Sequence, residues 1–184
     1  MRFLPGDTIS YSVSYLEMEE GPDFDWPKEP TGDILILRAK NPPARYFLSL
    51  YEAVGKDYEW TDKLICPCHE VDEFLSDSDV ELFTFIKDGW TAGFYMLDKR
   101  KKGVCDLAYF GLLPEAIGSG YGEYLLKTAV KMGWESRGIK KLTVNTNSLD
   151  HPNALPLYRK IGFNVIRIAQ ETRVLSRPRS VINK

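Results

Sequence analysis

Apolar and polar positions along the chain change period several times, and each change marks an element. Thr8 to Met18 alternates loosely through Ile9, Tyr11, Val13 and Tyr15 and predicts a first strand. Glu19 to Gly32 carries Pro22, Pro27 and Pro30 among five carboxylates and predicts a loop. Asp33 to Ala39 is a short β-branched apolar run, readable as an added strand or as the lead-in to the first helix. Pro42 and Pro43 break the chain. Ala44 to Val54 then takes helical spacing, with Phe47, Leu48 and Tyr51 near one face, and Val71 to Leu75 predicts a weaker second helix.

From Glu81 the pattern sharpens. Glu81 to Ile86 and Trp90 to Leu97 are strands joined at Asp88-Gly89, a strong two-residue hairpin signal. Val104 to Leu113 is almost continuously apolar, as expected of a central strand buried on both faces, and Pro114 ends it. After Ile117-Gly118-Ser119-Gly120-Tyr121-Gly122 a long helical pattern gathers Leu125, Leu126, Ala129, Val130, Gly133 and Trp134, with Gly138 as its stop. Leu142 to Asn147 is another strand. Asp150 is placed to cap a helix running from about Pro152 to Ile161, which Gly162 ends. Asn164 to Val174 reads as a final strand or hairpin. The tail, Ser176 to Lys184, has three basic residues and few anchors and is expected to fray.

At 184 residues, 43% hydrophobic and 27% charged, the chain is expected to form one domain over residues 1–184. It has no run of about 18 apolar residues to span a membrane and no signal-peptide pattern, so a soluble, cytoplasmic protein is expected. A net charge of −2 gives no pull toward nucleic acid or anionic lipid. Three cysteines, an odd count, argue against a disulfide framework. Cys66-Pro-Cys68-His69 is too closely spaced for a closed zinc site and has no second pair nearby, so no metal is expected.

The order strand, glycine turn, long helix, strand carries the chemistry. A helix start leaves free N–H groups and a partial positive charge, and glycines at 118, 120 and 122 let a phosphate approach that backbone. A tight turn with no ligand is the plainer reading of the spacing. Glu123 occupies the place where a dinucleotide fingerprint needs its third glycine and a nucleoside-triphosphate loop needs glycine before its lysine, so neither NAD nor ATP is favoured.

The stretch VCDLAYFGLLPEAIGSGYGEYLL, Val104 to Leu126, resembles the cofactor motif of GNAT acetyltransferases, Arg/Gln-x-x-Gly-x-Gly/Ala, in the register Ile117-x-x-Gly120-x-Gly122. It departs from that motif at Ile117, which stands where the family carries Arg or Gln. Asn153-Ala154-Leu155-Pro156-Leu157-Tyr158, followed by Ile161-Gly162-Phe163, resembles the family's second block. The resemblance covers residues 81–163 strongly, as an acetyl-CoA-binding core, and residues 1–80 only generally, as the wall on the acceptor side. It implies an α/β (α+β) fold. The central sheet would be mixed and mostly antiparallel, with six to seven strands and about four flanking helices. It would be splayed between the family's fourth and fifth strands, here Val104 to Leu113 and Leu142 to Asn147.

The same resemblance implies acetyl transfer from acetyl-CoA to a primary amine, on a small molecule or a protein. Gly111, Leu112 and Leu113 would pair with the pantetheine arm. The amides from Gly118 through Ser119, Gly120 and Tyr121 to Gly122 would meet the diphosphate, and Asn153 would bond the arm. Tyr158 is the candidate donor to the departing thiolate, a phenol of comparable basicity; a core aromatic is its plainer role. Asp106 is the candidate base, sharing by strand period a face with Ala108, Phe110 and Leu112; a carboxylate paired at the strand's outer end is the alternative. A non-catalytic acyl-CoA-binding module, another acyl donor and a hydroxyl acceptor stay open, as does a homodimer. Tyr46, Phe47, Tyr51, Tyr58 and Trp60 cluster near the first helix, where core packing accounts for most and an acceptor wall for some. His151 is expected to cap or be solvated.

Overall fold

The computed structural model describes residues 2–180. The strands are β1 (Arg2–Phe3), β2 (Thr8–Met18), β3 (Ile34–Ala39), β4 (Val80–Lys87), β5 (Trp90–Asp98), β6 (Val104–Leu112), β7 (Lys141–Asn147), β8 (Asn164–Val174) and β9 (Arg179–Ser180). The helices are α1 (Ala44–Gly55), α2 (Cys68–Ser76), α3 (Tyr121–Trp134) and α4 (Ala154–Ile161). Seven strands form one sheet in the order β3-β4-β5-β6-β7-β2-β8, and β1 and β9 form a separate ribbon. Neighbours in the sheet are antiparallel except β6 and β7, which are parallel. The architecture is the mixed, mostly antiparallel α/β sheet expected. Asp33 to Ala39 resolves as an edge strand rather than a helix lead-in.

The sheet has a core on each face. Against α3 and α4 pack Leu16, Tyr95, Leu97, Leu125, Leu142 and Phe163, all nearly fully buried. On the other face Phe47 and Val54 of α1 and Val71 of α2 cluster with Leu82, Phe94 and Met96 of the sheet. Burial of side chains this size is worth about 1.5–3 kcal/mol each, which is why α1 and α2 stay docked although neither has a side-chain cap. Helix α1 lies directly on β6: a Cβ at Gly111 would come 2.3 Å from Cγ1 of Val54.

Two features of β6 shape the site. It pairs with β7 through three residues, Val104 with Lys141, Cys105 with Leu142 and Asp106 with Thr143, and beyond these the strands part. On its other side Leu97 of β5 faces Leu107 and Met96 faces Tyr109, so Ala108 is an extra, bulged residue. A bulge bends its strand and increases the local twist, and here it falls where β6 leaves β7. The strand buried on both faces is therefore β5, from Ala92 to Leu97, and not Val104 to Leu113 as expected. Tyr109 to Leu112 of β6 are half-buried, because β7 no longer pairs with them on the side away from β5.

Other expectations are corrected in detail. Helix α3 stops at Trp134, short of Gly138, whose φ of 80° serves the turn into β7. The tail is tied down as far as Ser180: Arg179 and Ser180 pair with Phe3 and Arg2, and Arg179 donates to the carbonyls of Asp57 and Leu149. The remaining tail residues, 181–184, lie outside the described residues.

Candidate active site

The parting of β6 and β7 opens a cleft of about 560 Å³. At one end lies the glycine turn. Gly118 and Gly120 take φ of 85° and 81°, and a Cβ at either would meet nothing within 4 Å. Both the left-handed backbone and the open approach explain glycine there. Gly120 is the N-cap of α3 and supplies no side-chain cap, so the first-turn amides stay free for an outside acceptor. Ile117 is extended and 38% exposed and lines the cleft beside Gly118, Gly120 and Gly122. Ser119 and Tyr121 do not line it; the Tyr121 ring packs on Phe85 at 5.5 Å. What they can offer a ligand is their amides.

Glu123, beside this cradle, is neutralised. Its carboxylate accepts from Lys160 at 2.6 Å and pairs with Lys127 at 3.0 Å, and these lysines, Lys160 foremost, hold it below the usual carboxylate range. Glu123 itself lines the cleft, but with both lysines on its carboxylate the turn presents its bare amides to an anion, and its residues fit a diphosphate.

Along the cleft, Gly111 and Leu112 of β6 form one wall. Leu113 does not: its amide donates to Ala92 at 2.9 Å and its side chain packs on the α1 side. Asn153 lines the opposite wall. It is the N-cap of α4 but makes no side-chain cap bond, so its carboxamide is free. Pro156 falls in the first turn of α4, where its missing N–H costs no intrahelical bond, and the helix runs on unbroken to Tyr158.

Tyr158 lines the cleft although it is only 5% exposed. Its ring sits edge-on to Phe110 at 6.2 Å and Phe163 at 6.0 Å. Burial, with the nearby Asp150 and Asp106 adding to it, pushes the phenol pKa up. The group thus stays protonated and offers the cleft an O–H donor.

Asp106 is not brought to this cleft. The bulge at Ala108 reverses the facing of β6, so Asp106, opposite Asp98, shares its face with Tyr109 and Gly111 and not with Phe110 and Leu112. It lies at the closed end of the strand pair, in a small depression with Asp98, Arg100 and Thr143. It accepts a 2.5 Å bond from Oγ1 of Thr143. Burial raises its carboxyl pKa, against the lowering effect of that bond. The nearby Arg100 is paired with Asp98 at 2.6 Å.

Several residues of the acceptor side carry no signal in the spacing. Asp150 lines the cleft and does not cap α4. It accepts from Trp60 Nε1 at 3.1 Å, Thr146 Oγ1 at 2.7 Å and the Asn147 amide at 2.9 Å, three neutral donors. Glu59, also at the cleft, is 4% exposed and left-handed, with φ of 62°. A non-glycine residue there costs about 1–3 kcal/mol unless its surroundings hold it. The surroundings are Arg173, which donates to the Glu59 carbonyl and pairs with Asp62 at 2.7 Å, and Arg179, 3.5 Å from the Glu59 carboxylate. Tyr51, Trp60 and Tyr109 pack into one aromatic wall, with centroids 5.3–5.9 Å apart. Burial pushes the Tyr51 phenol up to about 12. His151 lines the cleft and accepts the Asn153 amide on Nδ1 at 3.1 Å, which leaves the neutral ring's proton on Nε2.

Fold and cleft together define an α/β protein with an uncapped helix start at the mouth of a splayed sheet. Residues 45–163 match the model of the acetyltransferase (GNAT) family, and the chain belongs to that family. Its fold is similar to that of a GCN5-related N-acetyltransferase from Kribbella flavida, at 18% identity and TM-score 0.60 over 88% of this chain and 56% of that one. A GCN5-related N-acetyltransferase from Sphaerobacter thermophilus is similar at 17% identity and TM-score 0.58, over 92% of this chain and 53% of that one. An aminoglycoside acetyltransferase from an uncultured soil metagenomic sample is similar at 16% identity and TM-score 0.56, over 70% of this chain and 87% of that one. This chain thus spans little more than half the length of the first two. No curated protein matches it.

Proposed function

We propose that the protein transfers an acetyl group from acetyl-CoA to a primary amine, small or protein-borne, by direct attack on the thioester. The observation that supports this most is the uncapped start of α3, with its left-handed glycines, opening into the gap between β6 and β7. Acetyl-CoA supplies the activated acyl group. Gly118 to Gly122 hold the diphosphate through their amides, with Lys127 and Lys160 nearby holding Glu123 off. Gly111 and Leu112 offer the edge of β6 that β7 leaves unpaired to the pantetheine arm, and Asn153 offers its free carboxamide.

Tyr158 gives its proton to the sulfur as the C–S bond breaks, and burial keeps that proton in place beforehand. The nitrogen loses a proton as the amide forms. Asp150, a cleft carboxylate bonded to neutral donors alone, draws and orients the amine, which gives one proton to solvent water before it attacks as the neutral base; Asp150 then takes the second proton, the one lost as the amide forms, directly or through water. Asp106, shut away from the cleft, has no part in this reading. Calorimetric titration with CoA, together with a thiol-release assay over a panel of amines, tests it. Micromolar binding and amine-dependent thiol release are expected. Binding without turnover across the panel would leave an acyl-CoA-binding module, and no binding would remove the cofactor site.

A further inference from the structure

Among the described residues the sheet ends on β8, an edge strand of 11 residues with nothing hydrogen-bonded to its outer side. Natural edges are usually blunted by proline, lysine or a cover, and β8 contains neither proline nor lysine. Ile166, Ile168 and Val174 are 57%, 61% and 64% exposed. By strand alternation Ile168 and Val174 point to one face and Arg167, Glu171 and Arg173 to the other; Ile166 is a bulged residue between Val165, opposite Leu16, and Arg167, opposite Tyr15. Arg167 lies over the Tyr15 ring at 3.8 Å. Neither it nor Glu171 has an ion-pair partner among the described residues.

We propose that this edge is covered by the β8 of a second copy of the chain, running antiparallel about a two-fold axis through Ala169. Such an axis, perpendicular to the sheet, brings together only residues of the same facing. Placed at Gln170, it would set Arg167 against Arg173. Placed at Glu171, it would set that carboxylate against its own copy. Placed at Ile168, it would leave Arg167 opposite Ala169. At Ala169, Arg167 lies across from Glu171 of the second copy and Glu171 across from Arg167, so both unpaired charges are matched twice. On the other face Ile168 lies diagonal to Ile168 of the second copy, within side-chain reach. The result is one sheet through both molecules. It also braces the strand that carries Arg173 into the acceptor side of the cleft.

Sedimentation velocity on the full chain at micromolar concentration tests this. A dimer is expected. Glu171→Arg, which sets arginine against arginine twice, should weaken it at least about tenfold, and Arg167→Glu combined with Glu171→Arg should restore it. Ile168→Lys reads the opposite face if Glu171→Arg proves unfolded by circular dichroism. A monomeric wild type, a dimer indifferent to folded Glu171→Arg and Ile168→Lys, or a double variant that stays dissociated would overturn the proposal.

Discussion

Trp60 donates its indole N–H to Oδ1 of Asp150 at 3.1 Å, joining residues 90 positions apart. One follows α1; the other follows β7. The bond holds the aromatic wall against the carboxylate that faces the cleft, so it links the acceptor side to the cofactor side.

Trp60→Phe keeps most of the wall and removes that donor. Leaving a buried acceptor short of one partner costs about 1–3 kcal/mol. The acceptor KM should rise about tenfold while the affinity for CoA, by calorimetry, changes less than about twofold. An unchanged acceptor KM would separate Trp60 from the acceptor side.

Tyr158→Phe removes only the phenolic oxygen from a ring packed between Phe110 and Phe163. Turnover should fall at least about tenfold, within the range typical of general-acid removal, with CoA affinity and melting temperature nearly intact. Turnover equal to wild type would make Tyr158 a core aromatic and nothing more.

Gly120→Glu puts a carboxylate and a Cβ at a left-handed N-cap that now stands open. The strain is about 1–2 kcal/mol, and the added charge opposes an anion. CoA binding should be lost in calorimetry while the far-ultraviolet circular dichroism spectrum persists. Retained affinity would put the anion site elsewhere.

Asp106 gives a pH-dependent stability test. Burial raises its folded pKa, so the folded state holds the proton more tightly than the unfolded chain. Its carboxylate therefore costs stability progressively as pH rises from the unfolded value, near 3.9, through the folded one, and costs nothing below both. Asp106→Asn keeps an acceptor for Thr143 and removes the charge. Its melting temperature should exceed wild type at pH 7, by about 2–4 °C per kcal/mol relieved, and match it at about pH 3. Amine-dependent turnover should stay within about twofold, and a shifted acidic limb of the rate profile would return Asp106 to the reaction.

Much of this molecule follows from local rules. The hairpin at Asp88-Gly89, the strand from Thr8 to Met18, the apolar face of α3 and the glycine turn ahead of it each depend on residues close together in the chain, so periodicity and turn chemistry reveal them. Tyr158 and Asn153 were also legible, because their block is short and ordered. Long-range packing decided the rest. The bulge at Ala108 exists only in the register between β5 and β6, and the pairing of Asp106 with Thr143 across β6 and β7 keeps Asp106 at the closed end, out of the cleft. Glu59, Trp60 and Asp150 meet only after the sheet is assembled, held by Arg173 and Arg179 from its far end. Short-range preference selects elements; which carboxylate faces a ligand depends on pairing and burial, which no stretch of sequence contains by itself.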